Sequence, residues 1–98
     1  MLENKFQREL IKDITSMFAG CIVLKNDANY IQGIPDLIVL FEDRWAALEC
    51  KRSNRAATQT NQKFYINKLN GMSFASFISP DNKDEVLDAL QHAFRTYR

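Results

Sequence analysis

The stretch Gly33-Ile34-Pro35-Asp36-Leu37-Ile38-Val39-Leu40-Phe41-Glu42-Asp43-Arg44-Trp45-Ala46-Ala47-Leu48-Glu49-Cys50-Lys51 decides how this chain is read. Two carboxylates, Asp36 and Glu49, stand thirteen positions apart, and Lys51 follows two residues after the second. The apolar run between them reads as a β-hairpin with a two-residue turn at Glu42-Asp43. That turn pairs Phe41 with Arg44 and Ile38 with Ala47, and it sets Asp36 opposite Glu49. Directly opposed residues project to the same side of a sheet. Alternation then places Asp36, Ile38, Leu40, Trp45, Ala47, Glu49 and Lys51 on one face. Leu37, Val39, Phe41, Leu48 and Cys50 take the other. A slip of one residue would send the carboxylates to opposite faces, so the spacing itself carries information.

Outward from the hairpin, residues 2–18 predict a helix. Leu2, Phe6, Leu10, Ile14, Met17 and Phe18 recur at helical spacing. Gly20 ends it, and Cys21 to Leu24 follow as a short strand. Residues 27–34 read as a polar loop. Pro35 is tolerated at the start of a strand, which predicts strands over 35–41 and 44–51. After a polar loop at 52–57, Thr58 or Thr60 can cap a helix to about Asn70, with Gly71 as its C-terminal cap. Met72 to Ile78 predict a fourth strand. Pro80 and Asp81 or Asn82 open a last helix with Val86, Leu87, Leu90, Ala93, Phe94 and Tyr97 on one face. The order is α-β-β-β-α-β-α, an α/β domain whose sheet is expected to be covered on both sides.

The bulk numbers fit one domain spanning 1–98. Apolar residues make up 46% and charged residues 26%, as in an ordinary soluble globule. No apolar run approaches the roughly 18 residues of a membrane span. The N-terminus lacks a signal-peptide core, so a cytoplasmic location is expected. Cys21 and Cys50 read as reduced core residues, and no Cys or His pair has zinc-ligand spacing. The net charge of +1 is low for a nucleic-acid binder. Charge can still be local: Lys51, Arg52 and Arg55 fall within five residues with no acid between them, and Lys25 and Lys63 can join them in space.

Adjacent carboxylates repel unless a cation lies between them. Oxygen donors without Cys or His favour Mg²⁺ or Mn²⁺. Such a metal polarises a phosphoryl oxygen and lowers the pKa of a bound water. A neighbouring lysine positions that water or offsets charge in the transition state. Acids at strand ends also pair with lysines on many surfaces, so three further features matter. Glu3 projects into the apolar sector of the first helix, where an unpaired carboxylate is costly, whereas Glu9 falls at its edge. A first-turn acid also suits the helix dipole. Gln62 shares a helical face with Tyr65, Ile66 and Leu69, as a cap or as a polar contact to phosphate. The loop before Asp36 carries Tyr30, able to stack on a base or simply exposed, and Gly33, which permits close backbone approach.

Pro35-Asp36 followed by Glu49-Cys50-Lys51, on an α-β-β-β-α-β core, resembles the PD-(D/E)xK nuclease superfamily. Within it the chain is similar to the small stand-alone VRR-NUC domains of phages and bacteria. The resemblance covers nearly the whole chain. Glu3 with Phe6-Gln7, Gly33-Ile34-Pro35-Asp36, Leu48-Glu49-Cys50-Lys51-Arg52 and Gln62 occur in that family's order; Cys50 stands where an aliphatic residue is usual. The resemblance implies a restriction-endonuclease-like core with a mixed central sheet and metal-dependent phosphodiester hydrolysis. Asp36, Glu49 and the Cys50 backbone carbonyl would bind Mg²⁺ or Mn²⁺. Glu3 would be a direct or outer ligand, Lys51 would orient or activate the water, and Gln62 would assist. Lys25, Tyr30, Arg52, Arg55 and Lys63 are the candidate DNA contacts. Stand-alone members are similar to Holliday junction resolvases and tend to dimerise.

The expected function is therefore a structure-specific DNA endonuclease acting on branched DNA as a homodimer. Symmetric cutting of a junction needs two sites, which a C2 dimer of one-site chains provides. Trp45, Phe94 and Tyr97 are candidates for the pairing surface or for the core. A loosely specific nicking or single-strand nuclease, and a non-catalytic nucleic-acid-binding subunit, are the alternatives.

Overall fold

The computed structural model describes residues 3–27 and 29–95, with Glu3 described by its backbone alone. The elements run α1 (Glu3–Met17), β1 (Ile22–Lys25), β2 (Leu37–Phe41), β3 (Arg44–Cys50), α2 (Thr60–Met72), β4 (Phe74–Ile78) and α3 (Lys83–Ala93). The sheet has four strands in the order β1-β2-β3-β4. β1 and β2 pair antiparallel, as do β2 and β3, while β3 and β4 are parallel. The chain is thus α/β with a mixed sheet and a C-terminal helix, in the expected order.

The hairpin register is the one that the sequence predicts. Phe41 pairs with Arg44, Ile38 with Ala47 and Leu37 with Leu48. The two faces divide as alternation requires. Leu37, Val39, Leu48 and Cys50 join Phe6, Leu10, Ile14 and Phe18 of the α1 segment, and Val86, Leu87, Leu90 and Phe94 of the α3 segment, in the main core. Phe18, Phe41 and Phe94 close one end of it with ring centroids 5.1–5.6 Å apart. Ala47, Ala75 and Ile66 form a smaller cluster under α2, with Ile38, Trp45, Leu69 and Phe77 packed against it.

Several boundaries differ from expectation, each for a local reason. β2 begins at Leu37 rather than at Pro35, because proline has no N–H for a ladder. β1 is shifted one residue, to Ile22–Lys25. Gly71 does not cap α2; the helix runs through it to Met72, and Ser73 is the C-cap, its N–H on the Leu69 carbonyl. The N-cap is Gln59, not Thr58 or Thr60: the Gln62 side chain turns back to take the Gln59 N–H at 3.1 Å. The sheet is also not fully covered. α2 packs mainly over β3 and β4, and Ile22, Leu24 and Leu40 remain exposed on that side. Phe94 is 3% exposed. Core packing therefore claims it, and it leaves no surface for a dimer. Trp45 is partly buried against α2, and Tyr97 lies outside the described residues.

Candidate functional site

The site forms at the open end of the hairpin, where the β2–β3 ladder has run out. Asp36 lies one residue before β2, and its Oδ2 accepts the Cys50 backbone N–H at 2.8 Å. The carboxylate thus closes the strand pair where a backbone carbonyl would otherwise do so. The Asn26 side chain donates to the Pro35 carbonyl and its backbone N–H to the Asp36 carbonyl, both at 2.8 Å, which fixes Asp36 from the β1 side. Glu49, the penultimate residue of β3, is 5% exposed, and its side chain hydrogen-bonds to that of Asp36.

Burial pushes the Asp36 carboxyl above its ordinary range, and this outweighs three opposing effects. The Cys50 N–H, the Lys51 charge and the Glu49 hydrogen bond all pull it down. A half-buried carboxylate against a buried one is a place where a proton or a cation is favoured.

Gln62 ties the remaining groups together. Its Nε2 donates to Glu49 Oε2 at 3.1 Å, and its Oε1 accepts from Lys51 Nζ at 2.7 Å. Lys51 Nζ also donates to the Ala57 carbonyl at 3.1 Å and lies 3.9 Å from Glu49 Oε2. Its ammonium sits 5.9 Å from the centre of the Phe77 ring. An ammonium has three donors; among the described residues two are taken by Gln62 and Ala57, and Glu49 lies within ion-pair distance. Asp36, Glu49, Lys51 and Gln62 therefore form one connected network drawn from three segments far apart in sequence.

Gly33 brings the preceding loop against α2. Its φ is +91°, and an added Cβ would lie 2.7 Å from the Asn61 Cγ. The glycine is needed both for its backbone conformation and for its missing side chain.

The other expected residues are placed less decisively. The Glu3 side chain lies outside the described residues. Glu9, at the edge of the apolar sector, is half-buried. Cys50 acts on Asp36 through its N–H. Lys25, Arg52, Arg55 and Lys63 are exposed, and Tyr30 is 83% exposed. Lys25 and Tyr30 border a groove of about 460 Å³ floored by Ile31, Ile34, Ile38 and Leu69. Arg52 and Arg55 lie on the β3–α2 loop that supplies Ala57 to Lys51. Both cysteines are free thiols.

Ala57 carries no signal in the sequence, and Asn26 stands out only as the first residue of the polar loop before Asp36. Both contribute through or toward the backbone, and residue type gives no signal of that. Among the described residues, no group of three or more His, Cys, Asp or Glu side chains is placed to hold a metal ion. No helix among them is long and apolar enough to cross a membrane. Comparison with protein-family models, curated proteins and solved structures finds no match.

Proposed function

We propose that this protein is a metal-dependent DNA endonuclease of the PD-(D/E)xK type, acting on branched DNA as a homodimer. The observation that carries this reading is the network itself. Two touching carboxylates are joined through Gln62 to a lysine held close enough to serve the same ligand.

The donor chemistry suits Mg²⁺ or Mn²⁺. Asp36 and Glu49 offer hard oxygen donors in a desolvated setting, with no thiolate or imidazole beside them. The Cys50 carbonyl and Glu3 complete the proposed ligand set. A bound ion of this kind supplies Lewis acidity and a water of lowered pKa.

The chain's own residues have separate tasks. Asp36 and Glu49 provide the negative cradle. Lys51 Nζ directs an N–H toward a phosphoryl oxygen and offsets charge as the transition state forms. Gln62 holds that ammonium in place, so the orienting cost is met in the fold before substrate arrives. Arg52, Arg55 and Lys63 lie on the segments around the network, where exposed cations contact backbone phosphates. Lys25 and Tyr30 offer a cation and a stacking surface at the neighbouring groove.

The test uses labelled four-way junction, duplex and single-stranded DNA with Mg²⁺. Paired symmetric nicks near the branch are expected, together with a dimer in sedimentation. Lys51→Ala should abolish cutting with the fold retained; cutting that survives this change would refute the mechanism. Preferred cutting of single strands would replace junction resolution with a loosely specific nuclease. Binding without any cutting would leave only a nucleic-acid-binding subunit.

A further inference from the structure

A second cavity opens beside Lys51, on the side away from the carboxylates' own strand pair. It has a volume of about 190 Å³ and lies between the β3–α2 loop and the turn after β4. Its apolar walls are Phe77, Ile78 and Ala56, while Asn54, Thr58 and Asn82 supply polar groups. Lys51 lines it as well, so an occupant touches a member of the catalytic network.

The cavity is built rather than incidental. Ser79, 2% exposed, anchors both of its rims. Its hydroxyl donates to Asn54 Oδ1 at 2.7 Å, and its backbone N–H donates to Asn82 Oδ1 at 2.8 Å. Asp81 takes the Asn54 backbone N–H at 2.8 Å and pins the loop across the gap. With Oδ1 occupied, the amide nitrogen of Asn54 is left as a donor that makes no hydrogen bond among the described residues. Thr58 adds a hydroxyl.

The size and chemistry together select the ligand. A cavity of roughly 150 Å³ accommodates a benzene ring, so 190 Å³ takes one six-membered ring and not comfortably two fused ones. An aromatic wall facing uncharged amide and hydroxyl groups suits a flat, polar, neutral ring. A free anion would find only Lys51, two of whose donors are already engaged.

We propose that this cavity receives a single unstacked pyrimidine base adjoining the phosphate held at the Asp36–Glu49–Lys51 network. The inference rests on the nuclease reading and adds a base preference to it. Strands at a branch can release a base at low cost, since the stack there is already interrupted. The pocket would therefore choose among phosphates near a branch point, giving cleavage a local sequence bias.

The experiment places each base, and an abasic residue, at the positions flanking the cut in a four-way junction. In parallel, a fluorescent pyrimidine analogue at the same position reports binding in EDTA, where nothing is cut. Wild type should cut the pyrimidine substrate at least about 5-fold faster than the abasic one, the lower end of what base–aromatic contact contributes. Its fluorescence should change on binding. Ala56→Leu, which fills the cavity, and Asn54→Ala, which removes the free donor, should each reduce both responses. Asn54→Ala decides the matter if Ala56→Leu does not fold. Cutting that ignores the flanking base in wild type overturns the pocket and leaves the nuclease standing. A fluorescence response that Asn54→Ala and Ala56→Leu abolish, without cutting by wild type in Mg²⁺, supports the pocket and overturns the nuclease. Absence of both responses overturns both readings.

Discussion

Replacing Gln62 by methionine tests whether the network holds the site together. Methionine keeps nearly the same length and apolar volume, so the change is almost wholly polar. Three hydrogen bonds are lost: from Lys51 at 2.7 Å, to Glu49 at 3.1 Å and from the Gln59 N–H at 3.1 Å. A neutral hydrogen bond contributes about 1 kcal/mol net and a charged one up to roughly 3. Lys51 keeps the Ala57 carbonyl, and water reaches part of the site, so we expect a total near 2 kcal/mol. In a domain of 98 residues that lowers Tm by roughly 8–16 °C. Thermal melting of Gln62→Met beside wild type measures it.

Cleavage should fall further than stability alone requires. On the nuclease proposal, at a temperature where both proteins are folded, kcat should drop by about 10- to 100-fold, because a displaced Lys51 ammonium loses rate steeply with distance. Gln62→Glu separates orientation from charge. It retains an acceptor for Lys51 and sets a second carboxylate oxygen against Glu49, so kcat should partly recover while Mg²⁺ dependence shifts. If Gln62→Met melts within 2 °C of wild type and cuts at the same rate, the network has no role and the reasoning fails.

Three other changes probe the surrounding parts. The folded-state pKa of Asp36 is raised, so the native protein retains a proton that the unfolded chain has released once pH passes its ordinary value near 3.8. Metal-free wild type should therefore lose stability as pH rises through the window from there to the raised value. Asp36→Asn removes that loss: it should melt higher than wild type in EDTA at pH 7, with the gap closing by pH 3, and it should lack the rise in Tm with Mg²⁺ that the proposed metal site predicts for wild type. Equal melting at both pH values would contradict the desolvation argument. Gly33→Ala places a Cβ 2.9 Å from the Asn61 backbone carbon at a φ of +91°; it should cost about 2 kcal/mol or more in denaturant unfolding, and a loss under 0.5 would show the loop free to retreat. Glu3→Gln should weaken Mg²⁺ dependence of cleavage more than Glu9→Gln, and the reverse order would sink the helical-wheel argument for Glu3.

The hairpin was readable because two independent constraints agree on it. The apolar run fixes where strands lie, and the two-residue turn fixes the register, so Asp36 and Glu49 could be paired by counting. Gln62 was readable as a candidate because its helical face was otherwise apolar. What escaped was whatever depends on backbone groups. Ala57 enters through its carbonyl and Cys50 through its N–H, and neither side chain announces it. Gly71 misled because a glycine near a helix end usually caps it; here Ser73 can close the last turn, so the helix continues. Helices lie on both faces of the sheet, as expected, but cover on the α2 face is incomplete. Element order shows that helices flank the strands, but the width that each covers is set by packing, and α2 lies mainly over β3 and β4.

Asp36 joins structure to chemistry in this small domain. Pro35 cannot donate to a ladder, so the pairing of β2 with β3 would open at this end. The Asp36 carboxylate closes it by taking the Cys50 N–H, and the next residue, Lys51, turns its own N–H to the Ile78 carbonyl of β4. The backbone of residues 50 and 51 is thereby held from both sides, while the Glu49 and Lys51 side chains project together toward Gln62. The groups proposed for metal and phosphate binding are therefore positioned by the terminal bonds of the sheet. Asn in place of Asp36 keeps that closure, and Ala does not. A comparison of the two separates the carboxylate's charge from its structural bond, which a single substitution cannot do.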